Sequence, residues 1–254
     1  VTYPHNTEGS GGYGDERYDD EFFWARAMLF REIGKGVESE NVLNSSLKNL
    51  KESILCDMEK CPPSLGLDWR DTQNLGWIAL ALQSYDLDLQ TKARNALKTV
   101  ADDIVLLASE DAYHLAIRRF VWGSNGDVAN HALTLFLVNS WAPSLSYVNC
   151  AKTMLDFIFG KNPVDRCFVT GSAWSSPKFL HHRISHSDGI DEPVPGLVAG
   201  GINADRQDLH RFPHYPGPQP GFSYTDERVS FASNETAINW NAPLVAALYF
   251  ESCC

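Results

Sequence analysis

Positive charge is scarce in this sequence and nowhere clustered. Lysine and arginine total 21 against 32 aspartates and glutamates, giving a formal net charge of −11. With no basic run to neutralise phosphates, nucleic acid is not an expected partner. Long apolar runs are missing as well. No stretch approaches the roughly 18 residues a bilayer span requires, so no transmembrane helix is expected. Six cysteines are too few for a disulfide framework at this length. Cys56 and Cys61 are close enough to bridge or to share a metal, and Cys150 and Cys167 read as small buried residues. The chain starts at Val1 without a signal peptide and ends on Cys253 and Cys254, so an upstream natural beginning and a truncation are expected. Alternating strand patterns are almost absent.

Hydrophobic residues make up 44% of the 254 positions, enough to bury a real core in one large domain or two small ones. Their spacing is helical. Helices are predicted over about 17–33, with Phe23, Ala27 and Phe30 on one face, and about 41–58, with Leu43, Leu47, Leu50 and Ile54. Pro62 and Pro63 break the second. Further helices are predicted over about 70–84, 89–108, 127–140 and 144–160. Helices of about four turns with short connections argue for stacked helical hairpins, an all-α fold. Trp24, Trp77 and Trp141 fall in these apolar patterns and are expected in the core.

From 161 to 233 the pattern stops. These 73 residues hold eight of the 13 prolines, seven of the 18 glycines and five of the eight histidines. A loop of that length inside a domain is uncommon and usually functional. Phe168, Trp174, Phe179, Leu180, Tyr215 and Phe222 make it too apolar for a disordered linker. A last helix is predicted over about 234–251, with Pro243 kinking its interior.

At the junction stands YTDERVSFASNETAINWNA, 224–242. It carries Asp226 and Glu235 nine positions apart, flanked by Tyr224, Phe231 and Trp240. A carboxyl on the first turn of a rigid element, among aromatic rings, is desolvated. Its pKa rises and it keeps its proton near neutral pH, as a general acid must. The bland alternative is a first-turn carboxylate favoured by the helix dipole. Asn234 opens a glycosylation sequon, as does Asn44. A glycan on Asn234 would block Glu235, so that sequon reads as coincidence, which favours a bacterial source.

This stretch resembles the second active-site signature of glycoside hydrolase family 9, the inverting β-1,4-glucanases and their relatives. Tyr224, Asp226, Phe231, Glu235, Ala237, Asn241 and Ala242 satisfy every constrained position. FVTGSAWSSPKFLHHRISHS resembles the family's other signature through Gly171, Pro177, His181, His182 and Arg183, and departs from it at Ala173, Ser175 and Leu180. GGYGDERYDDEFFWARAML, WGSNGDVANHALTLF, LDFIFGKNPVDRCFVTG and VPGLVAGGINADRQD are similar to family segments in family order, so the likeness covers nearly the whole chain.

The resemblance implies an (α/α)₆ barrel of twelve helices. The seven helices predicted, and the lack of the family's DAGD segment with its catalytic base, make residues 1–254 the C-terminal half to two-thirds of such a domain. An upstream part of the barrel is then the expected partner. The implied reaction is hydrolysis of β-1,4-glucosidic bonds in cellulose or related β-glucans, endo-acting and with inversion. The alternatives are a non-catalytic glucan-binding fragment and an exo-acting cellobiohydrolase or glucosidase.

By resemblance, Glu235 is the acid, Asp226 positions and tunes its neighbours, and His181, His182 and Arg183 contact the sugar. Trp69, Trp122 and Trp240 are candidates for stacking on glucose faces. His181, His182 and His186 could instead hold a metal, but they lack zincin spacing and a nearby Cys pair. The cluster Asp15, Glu16, Asp19, Asp20 and Glu21 has two readings. It is either a solvated helix start or a source of ligands (Asp15, Asp19, Asp20) for the structural calcium many family members bind. No other cofactor is implied. A secreted or extracellular location, with a periplasmic one as the alternative, goes with the substrate.

Overall fold

Amphipathic spacing builds several of the long helices among the described residues. A computed structural model describes residues 17–35, 45–83 and 85–253. The helices are α1 Asp19–Ile33, α2 Ser45–Lys60, α3 Gln73–Ala81, α4 Leu87–Ser109, α5 Ser124–Asn139, α6 Leu145–Ile158, α7 Arg183–Ser187, α8 Phe231–Asn234 and α9 Ile238–Glu251. Among the described residues there is no strand, only isolated bridges. No described helix is long and apolar enough to cross a membrane. The chain divides into two compact units, Val1–Leu97 and Lys98–Cys254, and the division falls within α4.

In the first unit α1 buries Phe23, Ala27 and Phe30, the face its i, i+4, i+7 spacing predicts. These pack on α2 and α3. The Phe23 and Trp77 rings meet edge to face at 5.6 Å, and the Trp77 indole N–H donates to the Cys61 carbonyl at 2.9 Å. The helix α2 contributes Leu47 and Ile54, and also the buried Asp57, which pairs with Arg26 at 2.6 Å. Leu43 lies outside the described residues. Two expectations need correction. Trp24 is partly exposed along α1 rather than in the core, because it falls off the Phe23–Ala27–Phe30 stripe. Cys56 is exposed and Cys61 buried, and neither is in a disulfide.

In the second unit α5 packs against both α6 and α9 and is buried on nearly all sides. Val128, Ala129, Ala132, Leu135, Phe136 and Val138 supply its apolar surface. Rings then carry the core outward. Phe157 of α6 stands 6.1 Å from Phe168, and Phe168 meets Tyr224 edge to face at 4.8 Å. Segment 161–230 is thus seated on the helices by buried aromatic and aliphatic side chains, among them Phe168, Leu180, Val198, Ile202 and Tyr224.

The single last helix predicted from 234 is in fact two. The one-turn α8 ends at Asn234, residues 235–237 are extended, and α9 begins at Ile238 with Pro243 inside it. Neighbouring backbone captures Glu235 and Thr236 in bridges, which overrides their helical continuation.

Candidate active site

The break between α8 and α9 places Glu235 on an extended residue, φ −74° and ψ 159°. Backbone holds it on both sides. On one side the His181 N–H donates to the Asn234 carbonyl at 2.8 Å, and His181 and Glu235 form a parallel bridge. On the other, the Gly200 N–H donates to the Glu235 carbonyl at 2.7 Å and the Gly201 N–H to the Ser233 carbonyl at 2.9 Å. Glycine is needed here. Gly201 has φ +92°, and a Cβ on it would stand 2.5 Å from the Asn125 carboxamide. Asn241, the last polar position of the signature, closes the frame. Its Oδ1 accepts from the Val198 N–H at 3.0 Å and its Nδ2 donates to the Ala237 carbonyl at 2.7 Å.

Glu235 is half-buried. Burial pushes its carboxyl above the ordinary value. The His181 imidazole and the Trp122 indole, which both favour the anion, do not offset that. A carboxyl so placed can hold a proton and deliver it. It is therefore mounted on an extended residue rather than on the first turn of a helix.

His181 has its Nδ1 2.6 Å from the Arg228 carbonyl. A carbonyl only accepts, so Nδ1 carries the proton and Nε2 is the nitrogen left for a ligand. Phe231 is the hub of this corner. The His181 ring lies 6.2 Å from it, the Trp122 ring 5.4 Å and the His210 ring 5.9 Å.

Asp226 works as a clamp. Its Oδ2 accepts from the Lys178 N–H at 2.7 Å and its Oδ1 from the Phe179 N–H at 2.9 Å. The fully buried Asn234 joins it. Its Nδ2 donates to the Phe179 carbonyl at 2.9 Å and to Asp226 Oδ1 at 3.1 Å, while its Oδ1 accepts from the Tyr224 hydroxyl at 2.9 Å. Burial raises the Tyr224 phenol well above its ordinary value, so it stays a donor. Together these side chains fix residues 178–180 and hence His181.

The other predicted residues are spread more widely. His182 caps α7. Its Nδ1 accepts from the Ser185 N–H at 3.4 Å and lies 2.9 Å from the Ser185 hydroxyl. Arg183 opens α7 and is exposed. Trp240 lays its indole on Gly123, Gly126 and Gly200, where a Cβ would come within 2.6, 2.4 and 3.1 Å of it, so one side of that ring is used in packing. Trp69 belongs to the first unit, with the Arg70 guanidinium 5.3 Å over its ring.

Of the acidic cluster, Asp15 and Glu16 lie outside the described residues and Asp19 is exposed. Asp20 is buried, and its Oδ2 accepts from the Thr72 N–H at 2.8 Å and the Thr72 hydroxyl at 3.1 Å. Burial alone would raise the Asp20 carboxyl, but its hydrogen bonds hold it below the ordinary range. Asp20 Oδ1 is buried without a hydrogen bond among the described residues, so one oxygen of this carboxylate remains for a cation. No group of three or more His, Cys, Asp or Glu among the described residues is arranged to hold a metal.

Sequence reasoning missed Asp208. Its carboxylate is fully buried and accepts from the Tyr215 hydroxyl at 2.7 Å, the Ser230 hydroxyl at 2.8 Å and the Ala232 N–H at 3.0 Å. It thereby caps the start of α8 from a distance. Nothing in the polar run around it marks it out, because its partners are 7 to 24 residues away. His210 was missed for the same reason.

Known proteins share this arrangement of segments. The chain is 34% identical over 248 residues to a xyloglucan-specific endo-beta-1,4-glucanase, BoGH9A, of Bacteroides ovatus, covering 93% of this chain and 39% of that protein. It is 30% identical over 243 residues to Endoglucanase D of Acetivibrio thermocellus, covering 94% and 35%. Among solved structures, AaCel9A in complex with cellobiose-like isofagomine superposes with a TM-score of 0.82 at 27% identity, over 98% of this chain and 46% of that one. The chain thus spans less than half the length of these relatives, and its all-α fold is that of the (α/α)₆ barrels over the part it covers. The family model of Glycosyl hydrolase family 9 matches residues 2–248, and the chain belongs to that family.

Proposed function

We propose that this chain carries the acid half of a β-1,4-glucan hydrolase of the endo-acting, inverting kind. The observation behind this is Glu235, a carboxyl raised by burial and held rigidly beside His181. Glu235 protonates the glycosidic oxygen as the bond to the leaving sugar breaks. His181 Nε2 and the Arg183 guanidinium hold sugar hydroxyls. The open face of Trp122, together with Trp240, receives the C–H faces of glucose rings.

Inversion also needs a carboxylate about 6.5–9.5 Å from the acid to activate water on the opposite face. Asp226 does not serve, since both its oxygens are committed to the backbone of 178 and 179. We assign the base to the additional length found in the relatives, which makes an upstream part of the barrel a functional partner. Calcium, if held, would take Asp20 as a ligand through its Oδ1 and would brace the start of α1. An extracellular location suits a polymer too large to enter a cell.

A second reading, glucan binding without turnover, is favoured by that same commitment of Asp226. Glu235→Gln separates the two. On soluble β-glucan, with the base-bearing part of the barrel present, the first reading expects hydrolysis to fall about 10²–10⁴-fold with oligosaccharide affinity kept. Hydrolysis unchanged by the substitution would overturn Glu235 as the acid. Glucan binding without any hydrolysis, even with the base-bearing part of the barrel present, would favour the second reading.

A further inference from the structure

We propose that His210 and Phe212 form an additional saccharide subsite on the rim of this site, taking one glucose unit of a bound β-glucan. The inference rests on the glucan reading above. The His210 ring stands 5.9 Å from Phe231, the same ring that gathers His181 and Trp122 beside Glu235. His210 is exposed, so its imidazole nitrogens are open to sugar hydroxyls at the edge of the catalytic corner.

Two residues on, Phe212 is 82% exposed and has φ +57°. A bulky side chain in the left-handed region is strained, and here no burial of the ring compensates. An aromatic face kept in water at the cost of backbone strain is a contact surface in waiting.

The segment that presents these two rings is firmly built. Asp208 ties it to α8 through Ser230 and Ala232. Arg206 donates to the Ser223 hydroxyl at 2.9 Å and the Gly217 carbonyl at 2.6 Å, and its guanidinium lies 5.0 Å over the Tyr215 ring. Asn203 Nδ2 donates to the Ala232 carbonyl at 2.8 Å. Phe212 closes the turn Leu209–Arg211, with its N–H donating to the Leu209 carbonyl at 3.1 Å. The rim is therefore preorganised, with one imidazole and one aromatic ring left over. That pair suits a sugar, which offers hydroxyls at its edge and C–H groups on its face.

The test uses the full chain carrying Glu235→Gln, so that turnover does not interfere, titrated with cellopentaose by calorimetry. His210→Ala and Phe212→Gly should each weaken binding about fivefold. Phe212→Gly should leave the melting temperature unchanged or higher, since glycine relieves the left-handed backbone. A structural role for Phe212 would instead lower the melting temperature. If both variants bind cellopentaose as the parent does, while Phe231→Ala weakens it, the subsite is wrong and the glucan reading stands. If the parent binds no β-1,4-glucan oligosaccharide at millimolar concentration, both fall together.

Discussion

In α5 and α6 the backbone satisfies its own donors and acceptors, and side chains such as Leu135, Phe136, Ala151 and Phe157 are left to pack. In 161–236 that division of labour is reversed. Side chains there do for the backbone what a helix does for itself. Asn162 donates to the Phe157 and Arg166 carbonyls, both at 2.7 Å. The Thr170 hydroxyl serves both Val194 and Leu197. Asp226 and Asn234 hold 178–180, and Asp208 holds 230–232. Apart from Trp122, the candidate catalytic corner lies in the second kind of structure. Irregular backbone can be aimed where the chemistry needs it, but only if buried polar side chains leave few of its groups unpaired.

The sharpest test of that contrast is chemical. With the base-bearing part of the barrel present, Glu235→Gln should cost about 10²–10⁴ in glucan hydrolysis while leaving the unfolding midpoint nearly unchanged, measured by reducing-sugar release and by urea titration. Next come two substitutions matched in stability cost. Leu135→Ala empties a fully buried site in α5 and should lose about 3 kcal/mol. Gly201→Ala forces a Cβ to within 2.5 Å of Asn125 at φ +92° and should lose about as much, roughly 3 kcal/mol. Only Gly201→Ala should also weaken oligosaccharide binding. Equal effects on affinity from both would erase the distinction between the regions.

A smaller effect is expected at Asp208. The Tyr215 phenol is pushed up to about 12 by burial first and by Asp208 as well. Asp208→Asn removes the second contribution, so Tyr215 should ionise earlier in a spectrophotometric titration at alkaline pH, with a stability loss of about 1–2 kcal/mol.

The smallest effect is on the pH dependence of stability. Because the folded Glu235 carboxyl is raised above its ordinary 4.5, the native state binds more protons than the unfolded state between the two values. The stability this contributes is complete below 4.5 and is lost as pH rises through the raised value. Glu235→Gln should flatten that decline. The same titration, raised by any bound sugar that excludes water, should set the basic limb of hydrolysis in the unsubstituted protein.

The two regions also differ in how well they can be read from the sequence. The faces of α1 and α6 follow from 3.6-residue periodicity, and helix ends fall within a few residues of where Pro and polar residues place them. Glu235 and His181 could be singled out because their motif spacing is distinctive. Their mounting could not. Residues 234–251 look like one helix, and only Gly200 and His181, 35 and 54 positions upstream in the chain, pull Glu235 out into a bridge. Asp208 and His210 carry no local signal, since what defines them is contact with α8 across about 20 residues of irregular chain. Trp24 shows the opposite case, since an apolar pattern one step off the stripe does not bring burial.

The buried carboxamide of Asn234 has a consequence for how this protein can be made. Asn234, Glu235 and Thr236 form an acceptor for N-linked glycan. In the folded chain the acceptor nitrogen is sealed between Phe179 and Asp226, out of reach of any transferase. A secretory pathway that glycosylates nascent chains meets this tripeptide before folding. A sugar attached there would occupy the space where 178–180 must dock, and the modified molecules could not close the catalytic corner. Production in yeast or animal cells should therefore yield a glycosylated, inactive fraction that bacterial production lacks. Replacing Thr236 with alanine, rather than touching Asn234, is the way to remove it.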